Sequence, residues 1–192
     1  TFQQEASRKL RLSSSQSMRA AQSLYEKGYI TYMRTDSTTL SETALTAARS
    51  IIRERYGADY LPDAPRTYTG KVKNAQEAHE AIRPAGDVFR SPEEVAREVP
   101  PTEARVYEMI WQRTVASQMT DAIGETVVVK VGATIPDAAG LSWRDAEFGA
   151  SGTVITHAGF RRVYVEDTDD GDEREDERRL PPLAEGDLLD AS

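Results

Sequence analysis

At 192 residues the chain can bury a substantial core and form one domain or two. It has no cysteine, which excludes a disulfide framework and a cysteine-based zinc site, and it has no apolar run of the ~20 residues that a membrane-spanning helix needs. A formal net charge of −8 argues against a nucleic-acid partner until it is mapped: nine acids and one base between 166 and 177 account for all of it, leaving the rest of the chain neutral.

With no charged-then-apolar leader at the start, the expectation is a soluble, cytoplasmic protein. Residues 1–12 read as a helix. They have neither a start methionine nor a capping residue before Phe2, so the sequence is expected to begin partway through a larger protein. Ser13-Ser14-Ser15 is a cluster of N-cap residues. Met18, Ala21, Leu24 and Tyr25 then recur at helical spacing, and Gly28 stands where a left-handed C-terminal cap belongs. Gln22 and Glu26 fall one turn apart on one face of this helix, where the plain reading is a solvated side. Over residues 1–34, Arg8, Lys9, Arg11, Arg19, Lys27 and Arg34 outweigh Glu5 and Glu26, a local charge of +4 that suits contact with phosphates.

From Gly28 the helical pattern gives way to a short β-branched and aromatic run, Tyr29 to Met33, followed by the hydroxyl-rich stretch Thr35 to Thr39. Residues two apart on a strand face the same side, so Tyr32 and Arg34 share a face. A free phenol titrates near about 10, and a guanidinium beside it favours the phenolate and offers a bidentate fork to a phosphate. The pair therefore suits attack on a phosphodiester. It equally describes an aromatic core strand ending in a surface arginine. Thr35, Asp36 and Ser37 are expected to order the loop through side-chain-to-backbone bonds, with Asp36 also holding Arg34. Thr39-Leu40-Ser41-Glu42 reads as a capping box, with Thr39 or Ser41 as the cap. Ala44, Leu45, Ala48, Ile51 and Ile52 line one side of the next helix, which Gly57 ends.

Residues 57–75 form a connector punctuated by Pro62, Pro65 and Gly70 and made positive by Lys71 and Lys73. In His79-Glu80-Ala81-Ile82-Arg83, an arginine stands where a zinc protease needs its second histidine, so no metal site is expected there. Ser91-Pro92-Glu93-Glu94 combines a cap, a proline at the first helical position and an acid at the third. Thr102 is expected to cap a helix reaching Met119, with Trp111 in the core. Beyond residue 121 the period becomes alternating: Thr126–Val131, Leu141–Arg144, Ala146–Phe148 and Val163–Val165 read as antiparallel strands. The acidic run 166–177 reads as a linker or hairpin tip. Its glycine falls one place early for a calcium loop, and no closing glutamate follows.

The run Gly28-Tyr29-Ile30-Thr31-Tyr32-Met33-Arg34-Thr35-Asp36-Ser37-Thr38-Thr39-Leu40-Ser41 resembles the active-site signature of type IA DNA topoisomerases of the bacterial topoisomerase I kind. Leu24-Tyr25-Glu26 before it, Thr1 to Ser7, and Gln76 to Pro84 resemble further segments of that family in the same order. The resemblance implies an α+β fold, with a mainly helical tyrosine-bearing domain over 1–120 and part of a β-rich hinged arch over 121–192. It implies Tyr32 as the nucleophile that forms a 5′-phosphotyrosine link, with Arg34 beside it. Gln22, Glu26, Thr31 and Asp36 become supporting or proton-handling groups, and His79 and Arg83 become DNA contacts.

The implied activity is relaxation of negatively supercoiled DNA by cleaving, passing and rejoining a single strand without ATP, in the cytoplasm at the nucleoid. Magnesium is implied only through an acidic Toprim domain not found in this sequence, so residues 1–192 alone are expected to be inactive. The expected partners are single-stranded DNA, the remaining domains of the same polypeptide and, through unpaired strand edges, a strand-exchanged second copy. The rival reading from the residues is a non-catalytic single-stranded nucleic-acid-binding module, in which Tyr32 stacks on a base and Arg34 meets phosphate. A tyrosine recombinase or rolling-circle nickase needs a distributed Arg/His set or a histidine metal cluster. Two isolated histidines do not supply either.

Overall fold

The computed structural model describes residues 1–68, 80–134, 145–164 and 185–187. Lys71, Lys73, the expected strand 141–144 and the acidic run 166–177 lie outside them. The fold is α+β, and the backbone divides into two compact units, Thr1–Asp121 with Ala158–Asp169, and Ala122–His157 with Asp170–Ser192.

The first unit is helical. Its first helix, α1, runs Phe2–Leu10, and Thr1 caps it: the Gln4 Oε1 accepts from the terminal nitrogen at 2.8 Å and from the Thr1 hydroxyl at 3.0 Å. The expectation of an uncapped start therefore does not hold, because a threonine at the first position is itself a cap. Helix α2 (Ser14–Glu26) begins at Ser13, whose hydroxyl accepts from the Gln16 amide while Gln16 Oε1 takes the Ser13 N–H at 2.9 Å. After α2, Gly28 takes a φ of +78° with nothing near the position its missing Cβ would occupy. Glycine is required there by conformation and not by crowding.

Helix α3 (Glu42–Arg55) buries Ala44, Ala47, Ala48 and Ile52, whereas Leu45 and Ile51 are half-buried. The alanine face lets it lie against the long helix α5 (Pro101–Ala116), which follows the short helix α4 (Pro92–Val95) and its Ser91–Glu94 capping box. Helix α5 starts one residue before the expected Thr102 cap, on Pro100 and Pro101, and stops at Ala116. Its continuation is diverted: Gln118, fully buried, bonds the backbone of Arg66 through both amide atoms, each at 3.0 Å. Leu24, Ile52, Val95, Val106 and Val115 are wholly inaccessible and form the centre of the core, with Trp111 packed among them as expected. Each such aliphatic side chain contributes roughly 1.5–3 kcal/mol through burial.

The expected strand at Val163–Val165 is not what forms in its described part. Gly159–Arg162 makes a 3-10 turn, and Tyr164, 2% exposed, is held by α1 and α5: its hydroxyl donates to Glu5, and Lys9 and Arg113 lie over its ring at 4.0 and 4.9 Å. An aromatic ring between two cations gains more from this docking than from extending a sheet edge.

The second unit is an antiparallel pair, β1 (Ile123–Thr134) with β2 (Asp145–His157). Strand β2 runs past Phe148 through Gly149-Ala150-Ser151-Gly152. These small residues pair with Lys130, Val129, Val128 and Val127, so the valine-rich strand overrides the low strand propensity of its partner. Ile123, Val128 and Phe148 are each more than half exposed.

Candidate active site

The segment carrying Tyr32 leaves α2 at Gly28 and pairs briefly with residues 83–85. The Ala85 amide donates to the Tyr29 carbonyl and the Thr31 amide to the Arg83 carbonyl, both at 2.9 Å, around a single antiparallel bridge of Ile30 with Pro84. Proline has no N–H to give, and this is the position of the ladder at which none is asked for. The ladder then stops. The next bond would run from the Arg83 N–H to the Thr31 carbonyl, but that N–H instead donates to the Thr31 hydroxyl at 3.0 Å, which itself donates to the Ala81 carbonyl at 2.8 Å. The short strand expected over Tyr29–Arg34 thus reduces to one bridge, and Tyr32 lies just outside it.

Beyond Thr31 the chain bends at Met33 and Arg34, with Tyr32, Arg34, Asp36 and Thr38 exposed and Met33 buried. Local hydroxyls order it: Thr35 Oγ1 accepts from the Ser37 amide at 3.1 Å and Ser37 Oγ from the Thr39 amide at 3.2 Å, as expected of such residues. Thr38 donates to the Tyr68 carbonyl at 3.0 Å. No ion pair joins Asp36 to Arg34 among the described residues, so Asp36 is not the group that holds the arginine.

Tyr32 is 36% exposed, and its ring meets that of Tyr25 edge-on, centroids 5.4 Å apart at 71°. Tyr25 sits on the last turn of α2 between Gln22 and Glu26, whose side chains are joined by a bond of 2.6 Å from Gln22 Nε2 to Glu26 Oε1. Gln22, Glu26 and the aromatic platform for Tyr32 therefore share one helix end. In the sequence Tyr25 belongs to an apolar stripe and to the Leu24-Tyr25-Glu26 segment of the family resemblance. Neither that segment nor the i, i+3 spacing from Gln22 tells a core ring from an exposed one.

The stretch Glu80–Arg83 closes the far side of the loop. The Ala81 amide donates to the Thr39 carbonyl at 2.8 Å, and the Ser41 amide donates to Glu80 Oε1 at 2.6 Å. Ser41 is the N-cap of α3, its hydroxyl accepting from the Ala44 amide at 3.3 Å. The reciprocal bond of a capping box normally comes from a Glu or Gln three residues on. Alanine occupies that place here, and Glu80 supplies the bond from 39 residues away.

Arg83, expected as a DNA contact, is instead 8% exposed, and all five of its side-chain N–H groups point inward. Its Nε and Nη2 donate to Glu80 Oε2 at 3.2 and 2.7 Å, Nη2 also to Ser41 Oγ at 3.5 Å, and Nη1 to the Pro84 and Gly86 carbonyls at 2.8 and 3.0 Å. A phosphate would have to displace these bonds, so Arg83 is an internal clamp. His79 lies outside the described residues. Partial burial pushes the Glu80 carboxyl up, but the bonds from Ser41 and Arg83 outweigh it and the net direction is down.

A second network anchors the start of the segment. The Tyr29 hydroxyl donates to Glu98 Oε2 at 2.5 Å, Arg90 grips both oxygens of the same carboxylate, and the Tyr107 hydroxyl donates to the Arg90 carbonyl at 2.7 Å. The Arg90 and Tyr29 bonds pull the Glu98 carboxyl down to about 2 from its ordinary 4.5. In the folded state Glu98 and Glu80 thus hold protons more weakly than in the unfolded chain. Their stabilisation is complete above about pH 4.5 and is lost as pH falls through the folded values, towards about 2 for Glu98. Urea midpoints measured between pH 5 and 3 are expected to fall, and the slope to flatten in Glu98→Gln. Because both groups of the Arg90–Glu98 pair are nearly half exposed, solvent screens the effect and the flattening is small.

No group of three His, Cys, Asp or Glu side chains converges to hold a metal among the described residues. A cavity of about 270 Å³ beside α3 is lined by Leu45, Arg49, Arg53 and Pro65 among others, and none of the candidate residues borders it. Tyr32 sits on an open surface, which suits a polymeric substrate better than a small enclosed one.

The profile of the family described as DNA topoisomerase matches residues 1–192. DNA topoisomerase 1 of Streptomyces coelicolor is 58% identical over 193 residues and that of Mycolicibacterium smegmatis 55% over 195, in each case across 100% of this chain and 20% of the relative. The solved structure of full-length topoisomerase I from Thermotoga maritima superposes with a TM-score of 0.65 at 33% identity, covering 87% of this chain and 26% of that one. The chain thus spans about a fifth of the length of the curated relatives it matches. With the match running from the first residue to the last and including the loop that presents Tyr32, the chain belongs to the bacterial type IA DNA topoisomerase family.

Proposed function

We propose that residues 1–192 are the nucleophile-bearing part of an enzyme that changes DNA linkage by transient cleavage of one strand. The observation that carries the reading is Tyr32 itself, exposed on a loop pinned at both ends, with Arg34, also exposed, two residues on. In the reaction, Tyr32 Oη, relieved of its proton, attacks a backbone phosphorus. A P–O bond forms to the tyrosine, the P–O3′ bond breaks, and the 3′-oxygen leaves and takes up a proton. The Arg34 guanidinium offsets the charge that builds on the phosphoryl oxygens. The Gln22–Glu26 pair, on the turn whose Tyr25 supports the nucleophile, handles the proton. Rejoining reverses each step and needs no ATP, because the phosphodiester energy is kept in the tyrosyl link.

Magnesium, where it acts, belongs to the four fifths of the relatives that lie outside this chain, and no step above passes through it. The same absent portion completes the cleavage site, so residues 1–192 alone do not relax supercoiled DNA. The β1–β2 pair belongs to the hinged arch. Its outer edges, unpaired among the described residues, take further strands of the longer protein or, without them, a second copy. Light scattering of residues 1–192 that gives a monomer at every concentration overturns the second-copy pairing.

The decisive experiment uses end-labelled single-stranded oligonucleotide with a full-length topoisomerase carrying this segment, denatured during reaction. The 3′-end label is expected to stay with the protein and the 5′-end label to leave it. Attachment through a 3′-phosphate, as in recombinases, refutes the chemistry, and no attachment at all favours a binding module.

A further inference from the structure

Tyr32 lies on a loop whose two ends are fastened by the same short stretch. At one end, the Thr31 hydroxyl donates to the Ala81 carbonyl at 2.8 Å and accepts from the Arg83 amide at 3.0 Å. At the other, the Thr39 carbonyl accepts from the Ala81 amide at 2.8 Å. Ala81 therefore bridges the loop through both of its backbone groups, and residues 32–38 span the gap with no backbone ladder of their own. What fixes this stretch is the neighbouring carboxylate. Glu80 binds the Ser41 amide with one oxygen and the Arg83 guanidinium with the other, and Arg83 in turn ties to Ser41 Oγ and to the Pro84 and Gly86 carbonyls.

We propose that Glu80 is the positioning residue of the nucleophile loop, a side chain that never meets DNA but holds Thr31 and Thr39 together so that Tyr32 is presented in one conformation. This rests on the reading of Tyr32 as the nucleophile. Its local part, the closing of the loop, stands apart from that reading. A nucleophile fixed within a few tenths of an ångström reacts far faster than one sampling several orientations, so the loss is expected in the chemical step and not in DNA affinity.

The test has two readouts. Amide hydrogen exchange of residues 1–192 follows the N–H groups of Thr31 and Ala81, neither of which bonds to Glu80. In Glu80→Ala they are expected to exchange on the order of ten times faster while α1 and α2 stay as protected as before, and in Glu80→Gln, which keeps an acceptor for Ser41, most protection returns. In a full-length topoisomerase carrying the segment, Glu80→Ala is expected to slow adduct formation at saturating oligonucleotide roughly 10–100-fold, with half-saturation unchanged within about two-fold and partial recovery in Glu80→Gln. If the alanine variant does not fold, Glu80→Asp keeps the charge beside Arg83 but withdraws it from Ser41, and is expected to shift both readouts the same way by less. Wild-type exchange at Thr31 and Ala81, or affinity and rate falling together, overturns the proposal. Faster exchange in a protein whose wild type forms no adduct keeps the loop closure and removes the assigned chemistry instead.

Discussion

Tyr32→Phe, in a full-length topoisomerase carrying this segment, is expected to abolish covalent protein–DNA adducts, a loss on the order of 10⁴-fold or more in the cleavage rate. Phenylalanine keeps the ring against Tyr25, so the loop and its 5.4 Å aromatic contact are retained and only the attacking oxygen is withdrawn. Affinity for single-stranded oligonucleotide should therefore stay within about two-fold of wild type, since the lost hydroxyl is one polar group among many phosphate contacts. Adducts surviving at more than a trace, with the attachment site mapped to another residue, would remove Tyr32 from its role. A parallel loss of binding would make the hydroxyl a DNA contact and not a nucleophile.

The second large effect concerns stability. Arg83→Ala removes a buried guanidinium whose five N–H groups serve Glu80, Ser41, Pro84 and Gly86, and it leaves the partly buried Glu80 carboxylate without its cation. Breaking a buried pair from one side costs about 3–5 kcal/mol, because the stranded charge and carbonyls keep their desolvation penalty. In a unit of this size that corresponds to a fall in Tm of more than about 10 °C, readable by calorimetry. Arg83→Lys cannot rescue it fully: an ammonium offers three donors from one point, where the guanidinium spreads five across a plane. If Arg83→Ala unfolds within 1 kcal/mol of wild type while oligonucleotide binding collapses, the clamp is wrong and the DNA contact expected from the sequence is right.

The separation between what could be read early and what could not follows the range of the interactions. Helices α2, α3 and α4 were legible because their signals are local: Ser13, Ser41 and Ser91 cap residues three places on, apolar side chains recur every three or four positions, and Gly28 and Gly57 end the turns with positive φ. The β1 strand was legible from consecutive valines, and Tyr32 stood out because its neighbours match a known signature. None of these features needs a distant partner.

What remained hidden depends on groups brought together from far apart. That Glu80 completes the cap of α3, that Tyr25 supports Tyr32 and that Tyr164 docks against Glu5, Lys9 and Arg113 are contacts across 7 to 159 residues, while Arg83 faces inward through bonds to Glu80, Pro84 and Gly86 within three residues and one, to Ser41, across 42 residues. An arginine in a sequence reads as a surface or phosphate-binding charge, because burying one is prohibitive unless a carboxylate and several carbonyls converge on it. The chain alone therefore singled out Tyr32, the residue proposed to carry the reactive oxygen. The tertiary structure decided what holds that residue in place, because hydrogen bonds between remote segments are set by docking geometry and leave no mark in local spacing.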